Sequence, residues 1–88
     1  MAHIKFEIKE TLGVVSELAK GWNKELNLMS WHGREFKYDI RNWDSEHKKM
    51  EKGVTLNVNE LRTLKEILNK MRFREAVILE QGFYAYGG

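Results

Sequence analysis

The fold of this chain follows from the stretch KYDIRNW at residues 37–43, read together with KGVTL at residues 52–56. Alternate side chains of a β-strand point to opposite faces of the sheet, so Tyr38 and Ile40 are expected to share one face. The opposite face would carry two cations and an indole: Lys37, Arg41 and Trp43. Single-stranded nucleic acid is held by cations that neutralise phosphates and by aromatic rings that stack on bases. The alternation therefore predicts a nucleic-acid-binding face opposite the apolar one.

Four segments have the apolar and polar alternation of β-strands. They are residues 4–16, 20–31, 34–43 and a short strand ending at 54–56. Gly13 lies inside the first segment, where glycine often marks a bulge. His32 and Gly33 separate the second segment from the third and predict a hairpin turn, because glycine supplies the positive φ that such turns need.

A helix is predicted after the last strand. Asn57 can cap it and Glu60 stands three residues later, which is the spacing of a capping box. An apolar stripe follows at helical spacing: Leu61, Leu64, Leu68 and Met71. Four strands and then one helix indicate an α+β fold that leaves one face of the sheet uncovered. The helix would pack on the sheet, on a partner's helix, or on both.

Size and composition indicate a single domain over residues 1–71 and a tail of unknown role at 72–88. A chain of 88 residues is marginal alone, and sharing a core in a homodimer is a common remedy. There is no cysteine and no apolar run of membrane-spanning length, so we expect a cytoplasmic protein with no membrane partner. The tail is expected to close an apolar edge, with stacking by its aromatic residues as the alternative.

Charge alone says little about the ligand. The net charge is only +2, and residues 20–56 account for it with eight Lys or Arg against six Asp or Glu. An anion site would therefore depend on geometry more than on bulk charge.

The segment YDIRNW at 38–43, the segment KGVTLN at 52–57 and the leucine-rich helix together resemble the positive-cofactor-4 family of transcriptional coactivators, in particular its small bacterial branch. The resemblance covers residues 4 to about 71. It implies a four-stranded antiparallel sheet followed by a helix, assembled as a homodimer through its helices and sheets. It also implies binding of single-stranded DNA across the curved sheets, with little sequence preference. Arg41, Trp43 and the Lys52-Gly53 pair correspond to the family's strand arginine, strand-end aromatic and Lys-Gly pair.

Three departures from the family pattern limit what carries over. Eukaryotic members have two aromatics at the strand end, where this chain has only Trp43, and Glu51 replaces a basic residue. The long Ser-rich regulatory tail of those members is missing. The resemblance therefore implies DNA binding more directly than a coactivator role.

Other residues join the candidate site with an alternative left open for each. Trp22 lies between Lys20 and Lys24 and could stack on a base, although a core position is equally plausible. Trp31, at a turn, is open in the same way. Asp39 could either form a surface charge ladder or orient Arg41 toward a phosphate or a base edge. The predicted nucleic-acid-binding set is Lys20, Trp22, Lys24, Lys37, Arg41, Trp43, Lys52 and Gly53.

Enzyme activity is not expected. The three histidines have no metal-ligand spacing, and the chain has no Gly-rich phosphate loop, so neither a cofactor nor a small-molecule substrate is predicted. Asp44, Glu46 and His47 are interpreted as solvated turn residues. The leading hypothesis is a homodimeric single-stranded DNA-binding protein of transcription, replication or repair. The alternatives are an RNA ligand, or a protein-interaction module that binds no nucleic acid.

Overall fold

The computed structural model describes residues 4–72 of the chain. They form one antiparallel sheet with the strand order β1-β2-β3-β4, followed by a helix. The elements are β1 Phe6–Glu17, a 3₁₀ turn Ala19–Gly21, β2 Asn23–Trp31, β3 Lys37–Trp43, β4 Val54–Leu56 and α1 Val58–Lys70. The predicted α+β class, strand number and helix are confirmed. The predictions for residues 73–88 lie outside the described range.

Strands β1 and β2 pair with register shifts, whereas β2 with β3 and β3 with β4 pair regularly. The register between β1 and β2 shifts at three places, one of them between Thr11 and Gly13, where a bulge is predicted. Bulges bend a strand and increase its twist, so β1 curves across the sheet. The turn after β2 has positive φ at both His32 and Gly33, 54° and 74°. This confirms the predicted hairpin turn.

The sheet has two chemically different faces. The helix face carries Leu26 and Leu28 of β2 and the residues paired with them on β3, Ile40 and Tyr38. The opposite face, called the far face here, carries the alternate residues of the two strands, including Asn27, Met29, Asp39 and Arg41. Met29, Asn27 and Asp39 are fully buried. The core therefore lies on the far face, which corrects the expectation of an uncovered face there.

Helix α1 begins at the predicted capping box. The Asn57 side chain accepts from the backbone N–H of Glu60 at 2.8 Å, and the Glu60 side chain accepts from the backbone N–H of Asn57 at 2.9 Å. Within Val58–Lys70, however, no residue is buried. An apolar cleft of about 610 Å³ separates the helix from the helix face of the sheet. The stripe of α1 is thus only partly covered within one chain.

Among residues 4–72, no helix is long and apolar enough to cross a membrane.

Candidate nucleic-acid interface

Asp39 and Arg41 form a closed ion pair on the far face. Arg41 donates from Nε to Asp39 Oδ1 at 2.6 Å and from Nη2 to Asp39 Oδ2 at 2.8 Å. Thr55 of β4 donates its hydroxyl to Asp39 Oδ2 at 2.8 Å. The carboxylate is fully buried, and only 13% of the Arg41 side chain is exposed. A buried carboxylate needs such donors because an unpaired charge in the interior is costly, so Asp39 orients Arg41, as one of the two predicted readings has it.

The orientation places the Arg41 guanidinium over an indole. Arg41 Cζ lies 4.7 Å from the centroid of the Trp31 ring, within the range of a cation–π contact. Arg41 Nη1 also donates to the carbonyl oxygen of Glu51 at 3.3 Å. Most of the guanidinium donors are thus used inside the protein. Arg41 has little capacity left for the phosphate contact predicted for it and instead positions Trp31.

Trp31 is the half-buried aromatic of this face. It lines an open depression of about 330 Å³ together with Ile4, His32, Arg41 and Thr55. Phe6 supports it from β1, with ring centroids 6.0 Å apart. The sequence leaves the role of Trp31 open, although odd-numbered β2 residues, including Trp31, share the face of Arg41. That register is the signal by which Trp31 could have been chosen.

Trp43 is fully buried, which corrects its prediction as the stacking group. The strand register is as expected, but Phe6 packs on the indole at 5.1 Å and His47 at 5.6 Å between ring centroids. The indole Nε1 has no hydrogen-bond partner among residues 4–72. Alternation gives the direction of this side chain. Its burial results from β1 and the loop after β3, which are distant in sequence or irregular.

The loop after β3, residues 44–50, is tied to the sheet by hydrogen-bond contacts between His47 and Glu25. His47 Nε2 lies 2.8 and 3.1 Å from the two carboxylate oxygens of Glu25, whose side chain is only 4% exposed. Asn27 Nδ2 also donates to Glu25, at 3.2 Å. The interpretation of His47 as a solvated turn residue is therefore wrong. It anchors the loop over Trp43.

The Asp44 side chain shapes the same loop by accepting hydrogen bonds from backbone N–H groups. Its Oδ1 accepts from the backbone N–H groups of Lys48 at 2.7 Å and Lys49 at 2.8 Å. The bond from Lys49 lowers the pKa of Asp44 from its usual 3.8, desolvation opposes that effect, and the bond from Lys48 and the charge of His47 lower it further. Asp44 is thus held as a carboxylate.

The predicted cations do not lie on one face. In the β2–β3 register, Lys24 pairs with Asn42, and the adjacent pair is Glu25 with Arg41. Because adjacent residues of a strand point to opposite faces, Lys24 lies on the side of the sheet opposite Arg41. A depression of about 320 Å³ here, the Trp22 groove, is lined by Leu18, Ala19, Lys20, Trp22, Asn42 and Glu51. The structure therefore groups Lys20 and Trp22 in this groove, with Lys24 bonded to its wall. Lys37, Arg41 and Trp43 belong to the far face.

Lys52 and Gly53 have separate roles. Lys52 is exposed and available to an anion. At Gly53, an added Cβ would overlap both the Cβ of Arg41 and the carbonyl oxygen of Ile40. Glycine is required here because the chain passes close to β3. Strand packing therefore explains the glycine at position 53, which the sequence placed in the nucleic-acid-binding set.

Two comparisons with known proteins give matches for this chain. A sequence profile of the family described as Transcriptional Coactivator p15 (PC4) matches residues 18–67, more than half of the chain. An uncharacterized protein from Treponema pallidum (strain Nichols) is 44% identical over 66 residues, which cover 75% of this chain and 78% of that protein. The matched span begins beside the Trp22 groove and ends within α1.

Proposed function

Because this chain belongs to the Transcriptional Coactivator p15 (PC4) family, we propose that it binds single-stranded DNA without sequence preference, as a homodimer acting in transcription, replication or repair in the bacterial cytoplasm. The observation that carries the proposal is the half-buried Trp31 ring beside an open depression, held on one side by Arg41 at 4.7 Å. A rigid indole beside an open depression is a platform on which any base can stack.

Phosphate contacts would come from lysines near this platform. Lys37 lies on the same face, paired with Met29 on β2, two residues before Trp31. Lys52 is exposed directly before Gly53, where the chain approaches Arg41. Ammonium groups on flexible stems can follow a phosphate backbone without reading bases, which suits binding without sequence preference.

The homodimer is supported by apolar surface that one chain leaves uncovered. Val58, Ile67, Leu68 and Met71 are each 45–52% exposed along α1 or at its end. The cleft beneath the helix is lined mainly by aliphatic side chains such as Leu26 and Leu64. A second copy packed here would remove this surface from water. Light scattering is expected to give twice the mass of one chain.

The test of DNA binding is a tryptophan-fluorescence titration with oligo-dT and with duplex of equal length, at two salt concentrations. We expect quenching by the single strand, with binding that weakens as salt rises because each phosphate contact releases counterions. Trp31→Ala should lose about 1–3 kcal/mol of binding free energy for the lost stacked base. Phe36→Ala removes an exposed aromatic ring that lies outside this depression, so it is the matched control and should bind as wild type.

Two results would contradict the proposal. Equal affinity for duplex and single strand would remove the single-strand specificity. A flat titration at low salt would favour the protein-interaction alternative. A matched RNA oligonucleotide, used as competitor, distinguishes the sugar.

A further inference from the structure

The Trp22 groove already holds an anionic group of the protein itself. Its wall includes Lys20, Trp22 and the side chain of Glu51. A lysine beside an indole is the combination that contacts a phosphate and stacks a base. The groove therefore has the chemistry of a nucleotide subsite, but with a carboxylate in its lining.

Glu51 is connected to a lysine through a neutral amide. Lys24 Nζ donates to Asn42 Oδ1 at 3.0 Å, and Asn42 Nδ2 donates to Glu51 Oε1 at 2.6 Å. Among residues 4–72, Glu51 takes part in no ion pair, so its charge is not neutralised directly. The Asn42 amide, which would otherwise offer its N–H to an incoming anion, is occupied by the carboxylate.

Two hydrogen bonds position the backbone of Glu51 beside the groove. Its N–H donates to the carbonyl oxygen of Asn42 at 3.1 Å, and its carbonyl oxygen accepts from Arg41 Nη1 at 3.3 Å. Both bonds tie residue 51 to β3, one through its N–H and the other through its carbonyl group. The backbone from which the Glu51 side chain extends is therefore held beside the groove.

We propose that Glu51 is an internal competitor that takes the place of a phosphate in the Trp22 groove and weakens single-strand binding there. The inference rests on the proposed function and adds a second contact region, on the side of the sheet opposite Arg41. Carboxylate and phosphate are both oxygen acceptors that use the same donors. A phosphate can enter only if it displaces or tolerates the carboxylate.

The test compares Glu51→Gln with Glu66→Gln by oligo-dT titration of the full chain. Both residues are exposed and both substitutions remove one negative charge, but Glu66 lies on α1. Glu51→Gln is expected to tighten binding about fivefold at low salt, since one charge repulsion at contact distance is removed. The log–log salt dependence should steepen by about 0.7, the value for one added phosphate contact to a single strand. Glu66→Gln should change affinity less than about twofold, because distant surface charges are screened.

A double-variant cycle separates local competition from general charge. In a Lys20→Gln background, the gain from Glu51→Gln should fall below about twofold, since the groove has lost a cation that would use the freed space. Near-ultraviolet circular dichroism checks that every variant retains its fold.

Each outcome of the titration is decisive. If the wild type binds single strand but Glu51→Gln and Glu66→Gln have equal affinities, this inference is wrong and the proposed function still holds. A gain that persists unchanged with Lys20→Gln also overturns it, in favour of general repulsion. Failure of the wild type to bind any single strand overturns the proposed function and this inference with it.

Discussion

The guanidinium of Arg41 lies 4.7 Å from the Trp31 ring centroid, so a side chain of β3 sets the position of an aromatic side chain at the end of β2. Asp39 holds Arg41 from the other direction with two hydrogen bonds. Asp39, Arg41 and Trp31 therefore contact one another in sequence, from a buried carboxylate through the guanidinium to a half-buried indole. The role of this unit, under the proposal above, is to present a rigid ring to a base.

Replacing Asp39 is expected to damage stability more than any surface change. Asp39→Ala removes the acceptor of both Arg41 and Thr55 and leaves a mostly buried guanidinium without its partner. Breaking a buried ion pair in this way costs about 3–5 kcal/mol. Urea denaturation measures the loss. Thr55→Val is the control and should cost about 1 kcal/mol, because it removes one hydrogen bond and keeps the pair. Equal losses in the two variants would contradict the central role of Asp39.

Gly53→Ala should destabilise the protein by about 1–3 kcal/mol, the usual cost of overpacking. The added methyl group would overlap backbone and Cβ atoms of β3, which cannot move without shifting the strand. Gly13→Ala is the matched control, because no atom lies within 4 Å of the Cβ it would add. Thermal unfolding of the two variants checks the difference. A neutral Gly53→Ala would show that the close approach between β3 and residue 53 is not needed.

Trp43→Ala is expected to act on stability, and only indirectly on binding. Removing a fully buried indole leaves a cavity against Phe6 and His47, and large-to-small changes of this kind cost about 3–5 kcal/mol. Trp43→Phe should retain most of the packing and the full DNA affinity under folding conditions. If Trp43→Phe folds but binds oligo-dT much more weakly than wild type, Trp43 stacks on a base after all, despite its burial.

The pH dependence of stability should include a contribution from Asp44. Its pKa is lowered in the folded state from 3.8, first by the backbone N–H of Lys49. A lowered folded pKa contributes stability that is present above 3.8 and is lost as the pH falls through the folded value. Asp44→Asn keeps an oxygen acceptor for the two N–H groups but cannot titrate. The loss of stability between pH 4 and pH 2 should therefore be smaller in Asp44→Asn than in wild type, as measured by urea titration at about half-unit pH steps. Identical slopes for the two proteins would contradict this assignment.

Local rules account for the elements and for the direction of their side chains. Strand alternation places Tyr38 and Ile40 opposite Arg41, and the Asn57 and Glu60 spacing starts the helix, because both rules concern residues a few positions apart. The Asp-Ile-Arg and Lys-Gly segments also identify the family from the sequence, and the match of the family profile to residues 18–67 confirms it.

Only the tertiary structure decided which of these residues remain available. Trp43 is closed off by Phe6 and His47, Gly53 serves the approach to β3, and Lys24 is turned away from Arg41 by its register. Alternation determines the face of a side chain, whereas burial depends on what distant segments place over that face. Those contacts come from the bulged β1 and an irregular loop, whose paths no local spacing in the sequence determines.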